Sequence, residues 1–167
     1  KFKTFVYHTG KENDNITNLI KNNSYSFVQE TNTDVIINKI ILSQLDVLIF
    51  LDIGMDPRIQ VLSPLRLAPT QCCAFGVPVT TGLENIDYFF SSEIMEMNDS
   101  QKHYTEKLVK IPGLGVDYDY PKTINENNSK INKEEGKTIF ISLQSNFKLL
   151  PQHDHIYFDI IKRNPNC

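Results

Sequence analysis

The most informative part of the chain is the stretch Leu65-Arg66-Leu67-Ala68-Pro69-Thr70-Gln71-Cys72-Cys73-Ala74-Phe75-Gly76-Val77-Pro78-Val79-Thr80-Thr81-Gly82. Its pattern predicts the end of a helix, a short buried strand and a loop. In an open α/β sheet, ligands bind at the loops that leave the carboxyl ends of the strands. Gly76, Pro78, Thr80 and Thr81 suit a close approach to a sugar or phosphate, so we predict that this loop borders a ligand cleft. The alternative is a tight connection that uses Gly and Pro for backbone reasons alone.

Strands and helices alternate on both sides of this stretch. A continuous apolar run from Val47 to Leu51 predicts a parallel strand that is covered on both faces. A helix is expected before this strand, because apolar residues recur at helical spacing from Val35 to Leu45. Asp34 is expected to cap that helix. Further strands are predicted at Phe2–His8, Tyr25–Val28, Gln71–Phe75, Ile86–Phe90 and Val109–Pro112, and helices at Ile16–Lys21, Arg58–Leu65 and Ser100–Leu108. This alternation indicates an α/β fold with a doubly wound parallel sheet.

Composition excludes several classes of function. The 167 residues are 40% hydrophobic and 22% charged, as in a globular protein, and the net charge of −3 gives no electrostatic basis for binding nucleic acid. No apolar run reaches the roughly 20 residues of a membrane span. The neighbours Cys72 and Cys73 are expected to be reduced thiols in a cytoplasmic protein, and no Cys/His spacing suggests a metal site.

A change of composition divides the chain. Residues 122–137 are rich in Asn, Lys and Glu, which predicts a linker or mobile loop. After it, Thr138–Ser142 is predicted as a strand, and Pro151 as the start of a helix. We therefore expect one domain at residues 1–121 and the first βα unit of a second domain at residues 138–167. The chain starts without methionine and stops just after a helix, so we expect a piece of a longer polypeptide.

Three sequence blocks resemble the glycosyltransferases of the O-GlcNAc transferase and SPINDLY group, which also includes bacterial protein glucosyltransferases. The blocks are Leu45–Pro57, then Leu65–Gly82 with Ile86–Phe89 and His103–Val109, and finally Gln144–Pro151 with Ile161–Pro165. Their order and spacing agree over nearly the whole chain. The resemblance implies a GT-B fold, in which two Rossmann-like domains face each other across a cleft. Residues 1–121 would be the later part of the first catalytic domain.

Lys148 is the strongest candidate for a binding residue. It follows a predicted strand and precedes a predicted helix, where a lysine can neutralise a diphosphate. The alternative is a solvated surface lysine. The resemblance implies that this lysine contacts the phosphates of a nucleotide-sugar, with Gln144 and Phe147 beside it. Phe147 could equally pack between domains.

The resemblance implies the transfer of GlcNAc or another hexose from a UDP-type donor to a side chain of a polypeptide. It implies no metal and no other cofactor, and a TPR region in the full-length protein. No catalytic residue is assigned, because Met55 stands where relatives often carry His or Tyr. This piece alone is expected to be inactive.

Two other interpretations remain open from the sequence. The chain could be a non-catalytic Rossmann-like remnant that serves protein contacts, an interpretation that Met55, Val77 and Phe147 slightly favour. It could also be an unrelated flavodoxin-like or response-regulator-like domain. In that case, residues 138–167 would have to join the same sheet as residues 1–120.

Overall fold

The computed structural model describes residues 2–117 and 136–167. The chain divides into two compact units, Lys1–Tyr118 and Asp119–Cys167. Most of the predicted linker, residues 122–137, lies outside the described residues, so the proposed domain boundaries stay predictions. No helix in the described part of the chain has both the length and the apolar character needed to cross a membrane.

The first unit alternates strands and helices. Its strands are β1 (Phe5–His8), β2 (Ser26–Gln29), β3 (Val47–Phe50), β4 (Thr70–Ala74), β5 (Tyr88–Ser92) and β6 (Lys107–Ile111). Its helices are α1 (Asn15–Asn23), α2 (Thr33–Leu42) and α3 (Pro57–Leu62). Strands β1 and β2 form one sheet, and β3, β4, β5 and β6 form a second sheet in that order. All of these pairings are parallel, which confirms the predicted α/β class.

Short polar side chains begin the helices. Asp56 caps α3 by accepting a hydrogen bond from the backbone N–H of Arg58, and Pro57 occupies the first turn. The predicted cap of α2 is wrong, because Asn32 rather than Asp34 holds that position. The Asn32 side-chain oxygen accepts hydrogen bonds from Asp34 N at 3.0 Å and Val35 N at 3.2 Å. It thereby satisfies two of the free N–H groups that every helix start leaves.

The core lies between the four-stranded sheet and the helices α2 and α3. Ile36, Ile40 and Leu62 from the helices belong to one buried cluster with Leu48 and Phe50 of β3. The prediction that β3 is covered on both faces is wrong. Its other face is open: Val47, Ile49 and Leu51 are 48%, 50% and 76% exposed. Side chains alternate along a strand, and none of the described helices covers this second face.

The helix predicted at Ser100–Leu108 is not formed. The segment is instead a turn followed by the start of a strand. A 3₁₀ turn ends at His103, and Lys107 and Leu108 already belong to β6. The Gln101 side chain supports this change of direction, since it donates to Glu106 O and accepts from Leu108 N, both at 2.9 Å. Pairing with β5 therefore outweighs the helical spacing of the apolar residues.

The described part of the second unit contains one α-helix, α4 (Asp154–Arg163), after two 3₁₀ turns at Asn146–Lys148 and Pro151–His153. The helix after Pro151 is thus confirmed. The strand predicted at Thr138–Ser142 is not formed, and these residues join neither sheet. A strand needs a partner strand that pairs with it along its length. Among the described residues of this unit, the segment makes a single backbone hydrogen bond of this kind, from Thr138 N to Asn166 O at 3.0 Å. The flavodoxin-like alternative requires this missing strand.

A buried amide holds the start of β4. Gln71 is 0% exposed. Its side-chain oxygen accepts from Leu67 N at 2.8 Å, and its amide nitrogen donates to Leu65 O at 3.0 Å and Asn85 O at 2.8 Å. One side chain thus joins the loop before β4 to the loop before β5. Its own backbone N–H donates to Asp87 Oδ2 at 2.7 Å.

We expect Gln71→Leu to destabilise the first unit by about 3 kcal/mol or more, because three backbone groups lose their buried partner and each costs roughly 1–3 kcal/mol. The free energy of unfolding in urea measures the effect. Gln60→Leu, on the exposed side of α3, is the matched control and should change it little. Equal losses in the two variants would contradict this account of Gln71.

Candidate functional site

The loop after β4 lies directly against the end of β3. Gly76 N donates to Leu51 O at 3.3 Å. A Cβ atom at Gly76 would lie 2.7 Å from Asp52 Cβ and 2.8 Å from Leu51 O. Any larger residue would therefore push the two strand ends apart. The sequence analysis predicts that Gly76 allows a ligand to approach closely. The structure shows that a glycine is required here for the close contact between the loop and the end of β3.

The rest of the loop is a compact turn. Val79 N donates to Val77 O at 2.9 Å, which closes the chain around Pro78. Gly82 ends the loop with φ of 68°, a conformation that favours glycine. The turn exposes Val79, which is 60% accessible, at the carboxyl edge of the sheet. Pro78 and Gly76 thus give this edge a defined shape.

A buried carboxylate anchors the two predicted hydroxyls. Glu106 is 2% exposed and lies just before β6. Thr80 Oγ1 donates to Glu106 Oε2 at 2.8 Å, and Thr81 N donates to Glu106 Oε1 at 2.8 Å. The Thr81 hydroxyl also donates to Glu106 Oε1. Both hydroxyls therefore bind a carboxylate of the same chain, and their contact with a sugar stays a prediction.

The same contacts set the ionisation of Glu106. Burial by itself would raise the pKa of this carboxyl, because it disfavours the charged form. Hydrogen bonds from Thr81 and Thr80 outweigh burial, so the pKa is lowered from its ordinary value of 4.5. Glu106 is thus an anion that holds the loop, not a proton donor near neutral pH.

Sequence reasoning placed Glu106 in a matched block but gave it no role. A signal was available, because two adjacent hydroxyl residues in a loop need a hydrogen-bond acceptor when they are not fully exposed. The chain separation of 25 or 26 residues hid the partner. Only the pairing of β5 with β6 brings Glu106 to the loop.

Lys148, Gln144 and Phe147 lie together in the second unit. Lys148 ends the 3₁₀ turn Asn146–Lys148, and its N–H donates to Ser145 O at 2.9 Å. Phe147 is 81% exposed. Within the described residues, the side chains of all three make no hydrogen bond or ion pair, so they are available to a ligand. Their predicted role in binding a nucleotide-sugar stays a prediction.

Two aspartates follow β3. Asp56 accepts from the Arg58 side chain and from Thr9 Oγ1, and the hydrogen bond from Arg58 is the main reason that its pKa is lowered to about 2. It is occupied as a helix cap and ion-pair partner. Asp52 differs, because its Oδ1 is buried and has no hydrogen-bond partner among the described residues. Unpartnered buried oxygens are uncommon in folded proteins.

The cysteines of β4 belong to the core, as the sequence predicts. Cys72 and Cys73 are 3% and 1% exposed and are not disulfide-bonded. Burial is the largest cause that raises the pKa of Cys73, to about 12. A thiol that stays protonated is a poor nucleophile. Neither cysteine is therefore a candidate for catalysis.

The first unit is a Rossmann-like α/β domain, defined by its parallel strands, its crossover helices and the loops at its carboxyl edge. The chain is similar in fold to a solved lysine-to-methionine mutant of the O-GlcNAc transferase from Thermobaculum terrenum, with a TM-score of 0.60 and 20% sequence identity. That match covers 65% of this chain and 21% of the solved chain. The predicted α/β, Rossmann-like fold class of GT-B type is thereby confirmed.

The sequence itself is similar to a curated plant protein, the probable UDP-N-acetylglucosamine–peptide N-acetylglucosaminyltransferase SEC of Arabidopsis thaliana. The two are 31% identical over 110 residues, which cover 61% of this chain and 11% of the plant protein. No protein-family model matches the chain. The predicted resemblance to O-GlcNAc transferases is confirmed over this part of the chain, which spans about a ninth of the plant relative.

We expect Glu106→Gln to destabilise the first unit by about 1.5–3 kcal/mol at neutral pH, the usual value of a hydrogen bond to a charged group. The lowered pKa of Glu106 gives stability above its ordinary value of 4.5, and this stability is lost as pH falls through the folded pKa. The difference between Glu106→Gln and the unsubstituted chain should therefore shrink in acid. Urea unfolding at about pH 7 and about pH 3 measures it.

The exposed Glu93 provides the control for this prediction. Glu93→Gln should change the free energy of unfolding little at either pH. A difference for Glu106→Gln that is the same in acid and at neutrality would show that the charge of Glu106 does not hold the loop.

Proposed function

We propose that this chain is part of a protein glycosyltransferase. The parent protein would transfer GlcNAc or another hexose from a UDP-type donor to a side chain of a polypeptide. The sequence match to a probable peptide N-acetylglucosaminyltransferase carries the proposal, and the similarity in fold agrees with it. The parent protein would act in the cytoplasm and would need no metal or other cofactor.

The residues divide between the two sides of the proposed reaction. Lys148 would neutralise the diphosphate of the donor, because the leaving group of such a transfer is an anion. Gln144 and Phe147, both exposed beside it, would contact the rest of the nucleotide-sugar. The loop with Gly76, Pro78, Thr80 and Thr81 would form the side that faces sugar or acceptor. Its shape, set by Glu106, is what supports this assignment.

A TPR region elsewhere in the polypeptide would bring the acceptor protein. The rival proposal is a Rossmann-like binding module without catalysis. The described loop residues favour it in one respect, since both hydroxyls of Thr80 and Thr81 are engaged within the chain. Donor binding separates the two proposals.

We expect Lys148→Ala to weaken the binding of UDP-GlcNAc or UDP-glucose by roughly 10-fold or more, since a charge-assisted hydrogen bond contributes about 1.5–3 kcal/mol. Calorimetric titration of the longest polypeptide that contains this chain measures it. Lys162→Ala, an exposed lysine of the same unit, is the control and should bind normally. Equal affinities of the two variants would remove Lys148 from the site. If neither UDP-sugar nor GDP-fucose binds, the glycosyltransferase proposal fails and the binding module replaces it.

We expect the 167-residue chain alone to transfer no sugar, because it spans only 11% of the plant relative and 21% of the solved transferase chain. The assay follows hydrolysis of UDP-GlcNAc and labelling of a Ser/Thr peptide by radioactive sugar. A longer polypeptide that contains this chain serves as the positive control. Transfer by the 167-residue chain that is abolished by Lys148→Ala would contradict the expectation.

A further inference from the structure

The carboxylate of Asp52 has no partner within the described residues. Asp52 stands just after the end of β3, at the carboxyl edge of the sheet. Its Oδ1 is buried, and the side chain makes no hydrogen bond or ion pair with residues 2–117 or 136–167. A buried carboxylate oxygen without a donor costs folding free energy. This cost indicates that Asp52 is placed to receive a donor other than the chain that surrounds it.

Asp52 lies on the wall of an open cavity. The cavity has a volume of about 680 Å³ and lies between β1 and β3. Apolar side chains line most of it. At the end where the two strands finish, its lining includes four polar residues, namely His8, Thr9, Asp52 and Asp56. A ligand bound at this polar end would therefore meet Asp52.

The other polar groups at this end are already engaged. Thr9 Oγ1 donates to Asp56 Oδ2 at 3.0 Å, and the Arg58 side chain donates to both carboxylate oxygens of Asp56. Arg58 also donates to Thr9 O. His8 Nε2 donates to a backbone oxygen of the following loop at 3.0 Å. Of the two carboxylates described at this end, Asp52 is therefore the one that remains available to a ligand.

The loops around this carboxylate are held in place. The contacts of Thr9 tie the loop after β1 to the start of α3, and Gly76 N ties the loop after β4 to a backbone oxygen at the end of β3. The loops after β3 and β4 also meet, since a Cβ atom at Gly54 would lie 3.7 Å from Val77 Cγ2. Loops that are already ordered lose little conformational entropy when a ligand binds. This part of the edge is thus suited to binding.

The charge at this end of the cavity limits the chemistry of the ligand. None of the described residues that line this end is a lysine or arginine, and the nearby Arg58 is paired with Asp56. A carboxylate without a cation beside it repels phosphate groups. It accepts short, strong hydrogen bonds from hydroxyl groups. The site therefore disfavours the diphosphate of a nucleotide-sugar and favours a neutral group that carries a hydroxyl.

We propose that Asp52 is a substrate-binding residue that accepts a hydrogen bond from a hydroxyl group of one reactant. The inference rests on the proposed glycosyltransferase function and adds to it a residue of the first unit that orients a substrate. The hydroxyl belongs either to the transferred hexose or to the side chain of the polypeptide acceptor. Both sources present the same chemistry to the carboxylate, and the experiments below distinguish them.

Donor binding tests the first source. Asp52→Asn keeps the shape of the side chain and removes its charge, and the exposed Asp46 before β3 provides the matched control Asp46→Asn. Calorimetry compares UDP with UDP-GlcNAc and UDP-glucose, using the longest polypeptide that contains this chain. If the hydroxyl belongs to the sugar, Asp52→Asn should weaken binding of the UDP-sugar roughly 10-fold or more and leave the affinity for UDP unchanged. Asp46→Asn should change neither affinity.

Transfer kinetics test the second source. If the hydroxyl belongs to the acceptor, Asp52→Asn should lower kcat/KM for a Ser/Thr peptide roughly 10-fold or more, with normal affinity for the UDP-sugar. Unchanged affinity for the UDP-sugar together with unchanged kcat/KM for the peptide would overturn the role of Asp52 and leave the proposed function standing. If the unsubstituted protein bound no nucleotide-sugar, the proposed function and the role of Asp52 would both fail.

Folding stability tests whether the carboxylate instead serves the fold. A carboxylate kept for a ligand contributes no hydrogen bond to the folded protein, so Asp52→Asn should leave the equilibrium constant of folding unchanged or raise it. Urea titration of the same longest polypeptide, without substrate, measures this constant. A fall of about 10-fold or more for Asp52→Asn, with Asp46→Asn unchanged, would show that Asp52 has a partner within the fold and would overturn the proposal.

Discussion

The first unit depends on the buried side chain of Gln71. Its amide accepts and donates hydrogen bonds at Leu67, Leu65 and Asn85, and its backbone pairs with Asp87. These contacts join the loop between α3 and β4 to the loop between β4 and β5. Strand β4 lies between β3 and β5. The contacts of Gln71 at the start of β4 therefore also affect the positions of both neighbouring strands. The side chain of this one residue satisfies three backbone groups, which is why no apolar substitute fits.

The loop at residues 76–82 depends on a comparable contact at the other end of β4. Glu106 arrives with β6 and binds Thr80 and Thr81, while the absence of a side chain at Gly76 lets the loop reach β3. The shape of the loop is thus a consequence of how β3, β4, β5 and β6 are ordered. Such an anchored loop suits a binding surface, because little conformational entropy remains to be lost when a ligand arrives.

Much of the fold could be predicted from the sequence. Parallel strands such as Val47–Phe50 are short apolar runs, and helices such as Pro57–Leu62 begin with a recognisable cap. The predictions failed where a contact distant in sequence decides the outcome. The segment Ser100–Leu108 was predicted as a helix, but Lys107 and Leu108 pair with β5. Thr138–Ser142 has strand composition but no described partner strand. Glu106 was missed for the same reason, since its partners lie 25 or 26 residues away.

The sequence by itself determined the α/β class and the resemblance to O-GlcNAc transferases, and it selected Lys148 as the candidate binding residue. These properties are local, because they follow from periodicity, caps and short motifs. Only the tertiary structure decided that Thr80 and Thr81 bind Glu106, that Val47, Ile49 and Leu51 are uncovered, and that β1 and β3 face each other across a cavity. Burial and strand pairing are properties of the neighbours that folding brings together, and no single segment contains them.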